Sequence, residues 1–278
     1  MMNLENTIGL GVAGNFAGHL EQAGEAKDFL KVAVKDAIQP KAIFPFYVPS
    51  EVLAERDQFL AAFPLSSDTI NFPNDADNLQ IEPEVALMCE IQYDNQQVVA
   101  LKPTHFAAYN DCSIRRPNAR KICEKKNWGT NSKGLSANWI TLDKFEQGGN
   151  LDDYHIACFH KRAGVLNEYG IDSPTVGYSY FHQQLLDWIV DRMNHQPDQD
   201  PMNNIADLLA RANYPTQAVI SIGATRYTEF GERNFLQVND TSIVAVYNAK
   251  QYRHEQIVAM AETEQFAEDI SALVQKVK

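Results

Sequence analysis

Two glutamates, Glu82 and Glu84, stand two positions apart in the segment NLQIEPEVALM, residues 78–88. On a β-strand, residues i and i+2 point to the same face, so the two Cα atoms would lie side by side about 7 Å apart. Two anions this close resist burial unless a cation neutralises them, and carboxylate oxygens select hard cations such as Mg²⁺, Mn²⁺ or Ca²⁺. The alternative is a pair on the solvent face of a strand, with Val85 and Leu87 packed inward.

A third carboxylate follows in the segment YNDCSIRRPN, where Asp111 lies 27 positions after Glu84. Together the two segments resemble the fumarylacetoacetate hydrolase family, which carries Glu-x-Glu on a strand and, further along, a sequence close to Y-x-x-x-N-D-x-S-A-R-D-x-Q. In that family a tryptophan and a lysine come next, as Trp128 and Lys133 do here. Flanking segments such as GNFAGHLEQAG and QAVISIGATRYTEFG are also similar to the family and keep its order.

The resemblance implies a metal site made of Glu82, Glu84 and Asp111, which would take Mg²⁺ or Mn²⁺, with Ca²⁺ as a further option. Three carboxylates leave the rest of an octahedral shell to water and to a chelating substrate. A 2-oxo acid or β-diketo acid fits, because its two oxygens can displace two waters and the metal can stabilise the charge that develops when a neighbouring carbon–carbon bond breaks. The family therefore implies a hydrolase or lyase acting on a substrate similar to an acylpyruvate, fumarylacetoacetate or oxaloacetate.

Several other residues match family positions that contact the substrate. Lys133 is expected to act in catalysis by holding the substrate carboxylate or the enolate oxygen, unless it is a solvated loop lysine. Arg115 is expected to bind the anionic substrate or to brace Asp111 in a structural salt bridge. Asn118 stands where the family has a glutamine, and Thr225 comes one step after the family's threonine, so both are predicted to contact the substrate.

The resemblance also implies a general base at His19. In family enzymes a glutamate three positions on orients this histidine, but Gln22 occupies that position here and Glu21 comes one residue early. Glutamine can orient an imidazole by hydrogen bonding but cannot stabilise the imidazolium with charge, so hydrolytic power would fall unless the loop brings Glu21 or Glu25 into place. We predict that His19 and Glu21 are catalytic. A catalytically weakened relative that binds metal or a small ligand without turnover remains the second hypothesis.

A sheet must position these residues, and the apolar pattern predicts many short strands. TIGLGVA at 7–13 is one, and from residue 79 onward β-branched and aromatic runs alternate with turn residues such as Asp94-Asn95. The resemblance implies an α+β, sheet-rich fold, a mixed β-sandwich or β-roll with peripheral helices. We expect a smaller N-terminal portion at residues 1–70 and a catalytic-type domain at 71–278, or one continuous domain.

Three segments show helical features. Ser50 could cap a helix over EVLAERDQFLAAF, and apolar residues recur at helical intervals between Tyr178 and Ile189 and between Phe266 and Val277. These segments are predicted to form the helices at the periphery.

Composition limits the possible partners. The chain has 278 residues, 45% of them hydrophobic, and a formal net charge of −12, so it can bury a large core but repels phosphate backbones and anionic headgroups. Nucleic acid and membrane surfaces are therefore poor partners. A small anionic oxo-acid substrate remains possible if local cations receive it, and the resemblance implies a homodimer.

The remaining expectations concern compartment and packing. The N-terminus has no basic run followed by an apolar stretch, which predicts a cytoplasmic protein. The four cysteines lack C-x-x-C spacing, so we expect reduced thiols packed as small apolar groups. His155 and His160 flank a strand-like run and are expected in turns or at the surface.

Overall fold

The computed structural model describes residues 4–29, 32, 35–36, 38–76, 78–116 and 119–278. Two large β-sheets share one apolar core, and short helices accompany them. The predicted α+β, sheet-rich fold is confirmed. The strands are β1 (Ile8–Ala13), β2 (Ala42–Tyr47), β3 (Leu65–Ser66), β4 (Thr69–Ile70), β5 (Leu79–Gln80), β6 (Pro83–Asp94), β7 (Gln97–Asn110), β8 (Ser113–Ile114), β9 (Lys133–Leu135), β10 (Ile140–Thr141), β11 (Tyr154–Arg162), β12 (Val165–Pro174), β13 (Gln217–Ser221), β14 (Thr241–Asn248) and β15 (Ser271–Val277).

The helices are short by comparison. The α-helices are α1 (His19–Gln22), α2 (His182–His195), α3 (Ile205–Arg211), α4 (Glu229–Arg233) and α5 (His254–Thr263). Short 3₁₀ helices lie at Ala26–Phe29, Glu55–Ala61, Ile122–Lys125, Asn150–Asp153 and Thr175–Gly177.

The larger sheet has the strand order β2-β1-β13-β6-β7-β9-β3, with β10 beside β7. The pairs β1–β13 and β3–β9 are parallel, and the other pairs in this sheet are antiparallel. At its centre β6 and β7 form a long hairpin that closes through Asn95 and Gln96, both with positive φ, between the paired residues Asp94 and Gln97. This confirms the turn predicted at Asp94-Asn95, because a two-residue hairpin loop favours positive φ at both central residues.

The smaller sheet has the order β12-β11-β14-β15-β4, antiparallel except for β15–β4. Its inward side chains, such as Ile156 and Val244, belong to the same core as Val85 and Leu87 of β6. The opposite face of β6 is covered too, since Ala86 packs in a cluster with Phe46, Tyr109 and Leu135. The first seven residues of β6 are therefore buried on both faces, which excludes a solvent-facing Glu84.

Two of the three predicted helices take another form. The segment after Ser50 forms the 3₁₀ helix Glu55–Ala61 instead of an α-helix, and the last segment contains strand β15. In β15 the buried residues Ser271, Leu273, Gln275 and Val277 recur with the period of two that a strand requires, although their neighbours are apolar enough to suggest a helix. The predicted helix near 178–189 is confirmed as α2, which begins a turn later and runs on to His195.

Strands from both sides of residue 70 share the two sheets: β1 pairs with β13, and β4 pairs with β15. The division into residues 1–70 and 71–278 stays a prediction. No helix among the described residues is long and apolar enough to cross a membrane.

The cysteine prediction is confirmed, and one histidine prediction is wrong. All four cysteines are free and buried. His160 is also buried, at 1% exposure. Its Nε2 lies 2.8 Å from Asp240 Oδ2, and this hydrogen bond compensates for the lost contact with solvent. His155 is partly exposed and contacts Asp172.

Candidate metal centre

The three predicted ligands meet at one end of the β6–β7 hairpin. Glu82 immediately precedes β6, Glu84 is its second residue, and Asp111 directly follows β7. The antiparallel register continues beyond the strands, since the backbone N–H of Asp111 donates to the Glu82 carbonyl at 2.9 Å and the Glu82 N–H donates to Asn110 Oδ1 at 3.0 Å. One carboxylate oxygen from each of the three acidic residues lies within 4.8 Å of the others.

The three carboxylates are buried, with exposures of 3% for Glu82, 2% for Glu84 and 0% for Asp111. Burial and the charges of Asp111 and Glu82 raise the pKa of Glu84 well above its ordinary value. Burial likewise raises the pKa of Asp111. Burial acts on Glu82 in the same direction, but the cations Lys126 and Arg115 hold the pKa of Glu82 well below its usual range. Glu82 is therefore stabilised as a carboxylate, whereas the carboxyl group of Glu84 resists ionisation.

Lys126 lies in the middle of this group, and the sequence analysis missed it. Its Nζ is 2.7 Å from Glu82 Oε2, 2.5 Å from Asp111 Oδ2 and 2.6 Å from the hydroxyl of Ser113. The chain reaches this position directly after the 3₁₀ turn Ile122–Lys125. In the sequence Lys126 is one of two adjacent lysines before Trp128, and no spacing rule shows which of the two contacts the carboxylates.

Lys133 is completely buried, so the solvated-loop alternative is wrong. Its Nζ donates to the carbonyl oxygens of Asp111, at 3.1 Å, and Cys112, and it lies 3.5 Å from Asp111 Oδ1. The ring of Trp128 faces the ammonium at 5.2 Å. Burial lowers the pKa of Lys133. The geometry makes this lysine a support for the backbone that carries Asp111.

Arg115 braces Glu82 rather than Asp111. Its Nη1 lies 2.7 Å from Glu82 Oε1 and 2.8 Å from Glu25 Oε1, while Nε donates to Gln80 and Nη2 donates to the hydroxyl of Tyr227. Four partners engage the guanidinium, which agrees with the salt-bridge alternative. Its predicted contact with substrate would use whatever donor capacity these partners leave.

His19 is buried on α1, and its partner is a backbone group. Its Nδ1 donates to the Thr225 carbonyl at 2.9 Å, which places the lone pair on Nε2. Nε2 makes no hydrogen bond within the described part of the chain. Burial lowers the pKa of His19, which favours the neutral imidazole.

The structure does not bring Glu21 to His19, which corrects the predicted catalytic pair. Glu21 is exposed on the outer side of α1. Gln22 instead forms two hydrogen bonds with the backbone of Tyr227, accepting from its N–H at 2.9 Å and donating to its carbonyl at 3.1 Å. Glu25 is held by Arg115 and Lys125. The carbonyl of Thr225 thus takes the orienting role that the resemblance assigned to a carboxylate.

The segment that follows β13 completes the site. The N–H of Gly223 donates to Glu84 Oε2 at 2.9 Å, and its φ of 118° suits glycine. Thr225 is buried and contributes its carbonyl to His19, while its hydroxyl has no hydrogen-bond partner among the described residues. Asn118, the other predicted substrate contact, lies outside the described residues.

A small cavity adjoins the three carboxylates. It has a volume of about 20 Å³, and its lining includes His19, Glu82, Glu84, Asp111 and Lys126. This is room for a single water molecule or ion, so a larger ligand would require its lining to move.

The donor set fits a hard divalent cation. Within the described residues, Glu82 Oε1 and both carboxylate oxygens of Asp111 contact cations but make no well-oriented hydrogen bond. Oxygen atoms that are buried without such bonds are unusual and suit a metal that accepts only oxygen ligands. The ammonium of Lys126 competes for the same atoms.

Comparisons with known proteins agree with the fold. The model of a family described as "Family of unknown function (DUF5718)" matches residues 25–277. No curated protein matches the sequence.

Solved structures similar to this chain include fumarylacetoacetate hydrolase family proteins. The protein Cg1458 with an inhibitor has 14% identity and a TM-score of 0.57, over 98% of this chain and 76% of that one. A 2-keto-3-deoxy-D-arabinonate dehydratase complexed with magnesium and 2,5-dioxopentanoate has 13% identity and a TM-score of 0.51, over 98% and 72%. A fumarylacetoacetate hydrolase family protein from Yersinia pestis CO92 has 10% identity and a TM-score of 0.50, over 98% and 93%. The resemblance seen in the sequence is confirmed at the level of the fold.

Proposed function

Because the chain belongs to the family of unknown function DUF5718 and has the fold of fumarylacetoacetate hydrolase family proteins, we propose that it is a divalent-metal-dependent enzyme acting on a small 2-oxo acid or β-diketo acid. The observation that carries this proposal is the triad of buried carboxylates, whose ligand oxygens lie within 4.8 Å of one another beside the cavity that His19 lines. The similar dehydratase contains magnesium and 2,5-dioxopentanoate, itself an oxo acid, which supports this ligand class.

Glu82, Glu84 and Asp111 would hold Mg²⁺ or Mn²⁺, with Ca²⁺ as the third option. When bound, the metal would supply Lewis-acid stabilisation of the negative charge that develops on the substrate oxygens. Lys133 keeps Asp111 in place through the backbone carbonyls, and Arg115 keeps Glu82 in place through its side chain. These contacts would keep the carboxylates in position for a metal while Lys133 and Arg115 stay bound to their present partners.

His19 would act as the general base for carbon–carbon bond hydrolysis. Its Nδ1–H is fixed by the Thr225 carbonyl, so Nε2 can take a proton from water. The hydroxide oxygen bonds to the acyl carbon of the substrate, and the adjoining carbon–carbon bond breaks. Its electron pair passes to the carbon next to the 2-oxo group, which then takes up a proton. In a decarboxylation, carbon dioxide would leave instead and no water would be needed.

A panel of substrates tests this proposal. Purified protein is incubated with acylpyruvates and oxaloacetate in the presence of Mn²⁺, and substrate loss and product formation are followed by absorbance and chromatography. We expect metal-dependent turnover of at least one compound and a large loss of rate in His19→Asn. Absence of turnover across the panel, with His19→Asn equal to wild type, would contradict the enzymatic proposal.

The alternative is a catalytically weakened protein that binds metal or a small ligand without turnover. Two observations favour it: Lys126 contacts two of the three carboxylates, and His19 is oriented by a carbonyl that cannot neutralise an imidazolium. Ligand-induced stabilisation in the same panel, without product, would support this alternative.

We also propose a homodimer, as the resemblance implies. Light scattering of the purified chain measures its mass directly. A mass near twice 31.3 kDa is expected, and a monomer across the usable concentration range would contradict the proposal.

A further inference from the structure

Lys126 differs from the other cations around the carboxylate triad in what it contacts. Arg115 reaches one triad carboxylate and three other groups, and Lys133 is anchored on two backbone carbonyls. Within the described ranges, Lys126 is the cation that contacts two members of the triad at once, Glu82 at 2.7 Å and Asp111 at 2.5 Å. Its ammonium therefore lies between two residues that a metal would bridge.

A divalent ion and this ammonium exclude one another. An ion bound to Glu82 and Asp111 would lie at about 2.0–2.6 Å from one oxygen of each carboxylate. Because the ammonium of Lys126 already contacts one oxygen of each of these two carboxylates, the ion would be its close neighbour. Like charges repel strongly at such separations in a buried site.

The surroundings of Lys126 stabilise it in the triad but leave it room to withdraw. Ser113 accepts a hydrogen bond from its Nζ at 2.6 Å, and the ring of Phe44 lies 5.1 Å away. The cavity of about 20 Å³ that Lys126 lines also borders Glu25, a carboxylate outside the triad. Movement toward that side would take the ammonium away from the metal position without leaving its charge far from an anion.

We propose that Lys126 is a tethered cation that occupies the carboxylate triad and must be displaced before a divalent metal binds. This inference rests on the proposed metal site and adds a competitor that is part of the chain itself. The apparent metal affinity is then the intrinsic affinity reduced by the fraction of molecules in which Lys126 has withdrawn. Substrate and metal together would displace the lysine more effectively than either one alone.

Metal titrations with matched lysine variants test the proposal. Mn²⁺ is titrated by calorimetry into wild type, Lys126→Met and Lys125→Met. Methionine keeps an unbranched chain of similar length without the charge. Lys125 is the control, because it is also buried but contacts Glu25 and Asp28 instead of the triad. We expect Lys126→Met to bind Mn²⁺ at least about tenfold more tightly than wild type, as a competitor present in nine-tenths of molecules implies, and Lys125→Met to match wild type.

A stability measurement accompanies the titration because Lys126→Met removes one of the cations that neutralise the buried carboxylates. Without metal this variant should unfold at a lower temperature than wild type, and Mn²⁺ should raise its midpoint more than that of wild type. If it does not fold even with Mn²⁺, Ser113→Ala decides, since it removes a partner of Lys126 and no charge. Tighter Mn²⁺ binding by Ser113→Ala would support the proposal, and unchanged binding would overturn it.

The outcomes separate this proposal from the proposed function. Equal Mn²⁺ affinities for wild type and a folded Lys126→Met would overturn the competition while leaving the metal site intact. Absence of Mn²⁺ binding in both proteins would overturn the metal site, and the competition with it. Weak or undetectable binding by wild type alone, with clear binding by Lys126→Met, would support both.

Discussion

Glu82 immediately precedes β6 and Glu84 is the second residue of that strand, yet different groups surround their carboxylates. Arg115 and Lys126 contact Glu82 and favour its ionised form. Glu84 accepts a hydrogen bond from the N–H of Gly223 and faces Asp111, so burial and a neighbouring negative charge favour its protonated form. A metal would reverse this preference, because a coordinating carboxylate must be deprotonated.

Substituting each glutamate separates stability from metal binding. We expect Glu84→Gln to change the free energy of unfolding by less than about 1 kcal/mol, since a glutamine carbonyl can still accept from Gly223. Glu82→Gln should cost about 3–5 kcal/mol, because it removes one counter-charge from each of two buried cations, Arg115 and Lys126. Both variants should lose Mn²⁺ binding. Urea denaturation and calorimetry measure the two effects, and a Glu84→Gln protein that binds Mn²⁺ as wild type does would contradict the ligand assignment.

The pH dependence of the reaction tests the role of His19. Burial lowers its pKa, so the neutral imidazole that accepts a proton persists at pH values where an ordinary histidine, with a pKa of about 6.5, is charged. The acid limb of the rate profile should therefore fall below that value. His19→Asn should lower kcat by about 10²–10⁴-fold while leaving Mn²⁺ affinity unchanged. An acid limb that is unaltered in His19→Asn would assign the titration to another group.

The short helix α1 depends on the segment after β13 for its position. Gln22 bonds both backbone groups of Tyr227, and His19 donates to Thr225 two residues earlier. These three hydrogen bonds fix the imidazole relative to the segment that also contacts Glu84 through Gly223. The resemblance implies a side-chain dyad at this place, but in the structure a backbone carbonyl is the hydrogen-bond partner of His19.

Adjacent substitutions on α1 test this arrangement. Gln22→Ala removes two hydrogen bonds and should cost about 1–3 kcal/mol of stability, together with a loss of kcat as His19 loses its fixed orientation. Glu21→Ala is the matched control, and it should change stability by less than about 0.5 kcal/mol because Glu21 is exposed. Urea denaturation and the oxo-acid assay measure both. A larger kcat loss in Glu21→Ala than in Gln22→Ala would restore the His19–Glu21 pair.

At the level of elements, the sequence predicts those strands, turns and helices that a local pattern of residues determines. The strands β6 and β7 with their tight turn and the helix α2 follow from short segments with clear patterns. The C-terminal strand β15 was mistaken for a helix because Phe266 to Val277 satisfies both periods, and its pairing with β14 and β4 decides the outcome. A local sequence pattern does not reveal long-range strand pairing of this kind.

The site as a whole depends on contacts between distant parts of the chain. Segments that are far apart in the sequence come together because β6 lies between β13 and β7 in the larger sheet. They lie near residues 19, 82–84, 111, 126 and 223–227. The family resemblance pointed to the three carboxylates and to His19. It could not supply Lys126 or the Thr225 carbonyl, because a lysine's burial and a backbone orientation are set by the assembled fold rather than by residue type.

Metal binding should stabilise the whole molecule. A ligand that binds the folded chain and not the unfolded one adds about 2.7 kcal/mol at a hundred times its Kd. Increasing Mn²⁺ should therefore raise the thermal unfolding midpoint continuously, and a chelator should reverse the rise. A midpoint that stays constant up to millimolar Mn²⁺ in both wild type and Lys126→Met would show that the folded chain does not bind the ion.

Anomalous diffraction from crystals soaked in Mn²⁺ tests most directly whether Glu82, Glu84 and Asp111 bind a divalent metal. High Mn²⁺ concentration overcomes the competition from Lys126. We predict an anomalous peak at about 2.0–2.6 Å from one oxygen of each carboxylate, with the Lys126 ammonium moved away. The absence of a peak there, with Lys126 still bound to Glu82 and Asp111 at saturating Mn²⁺, would contradict the account.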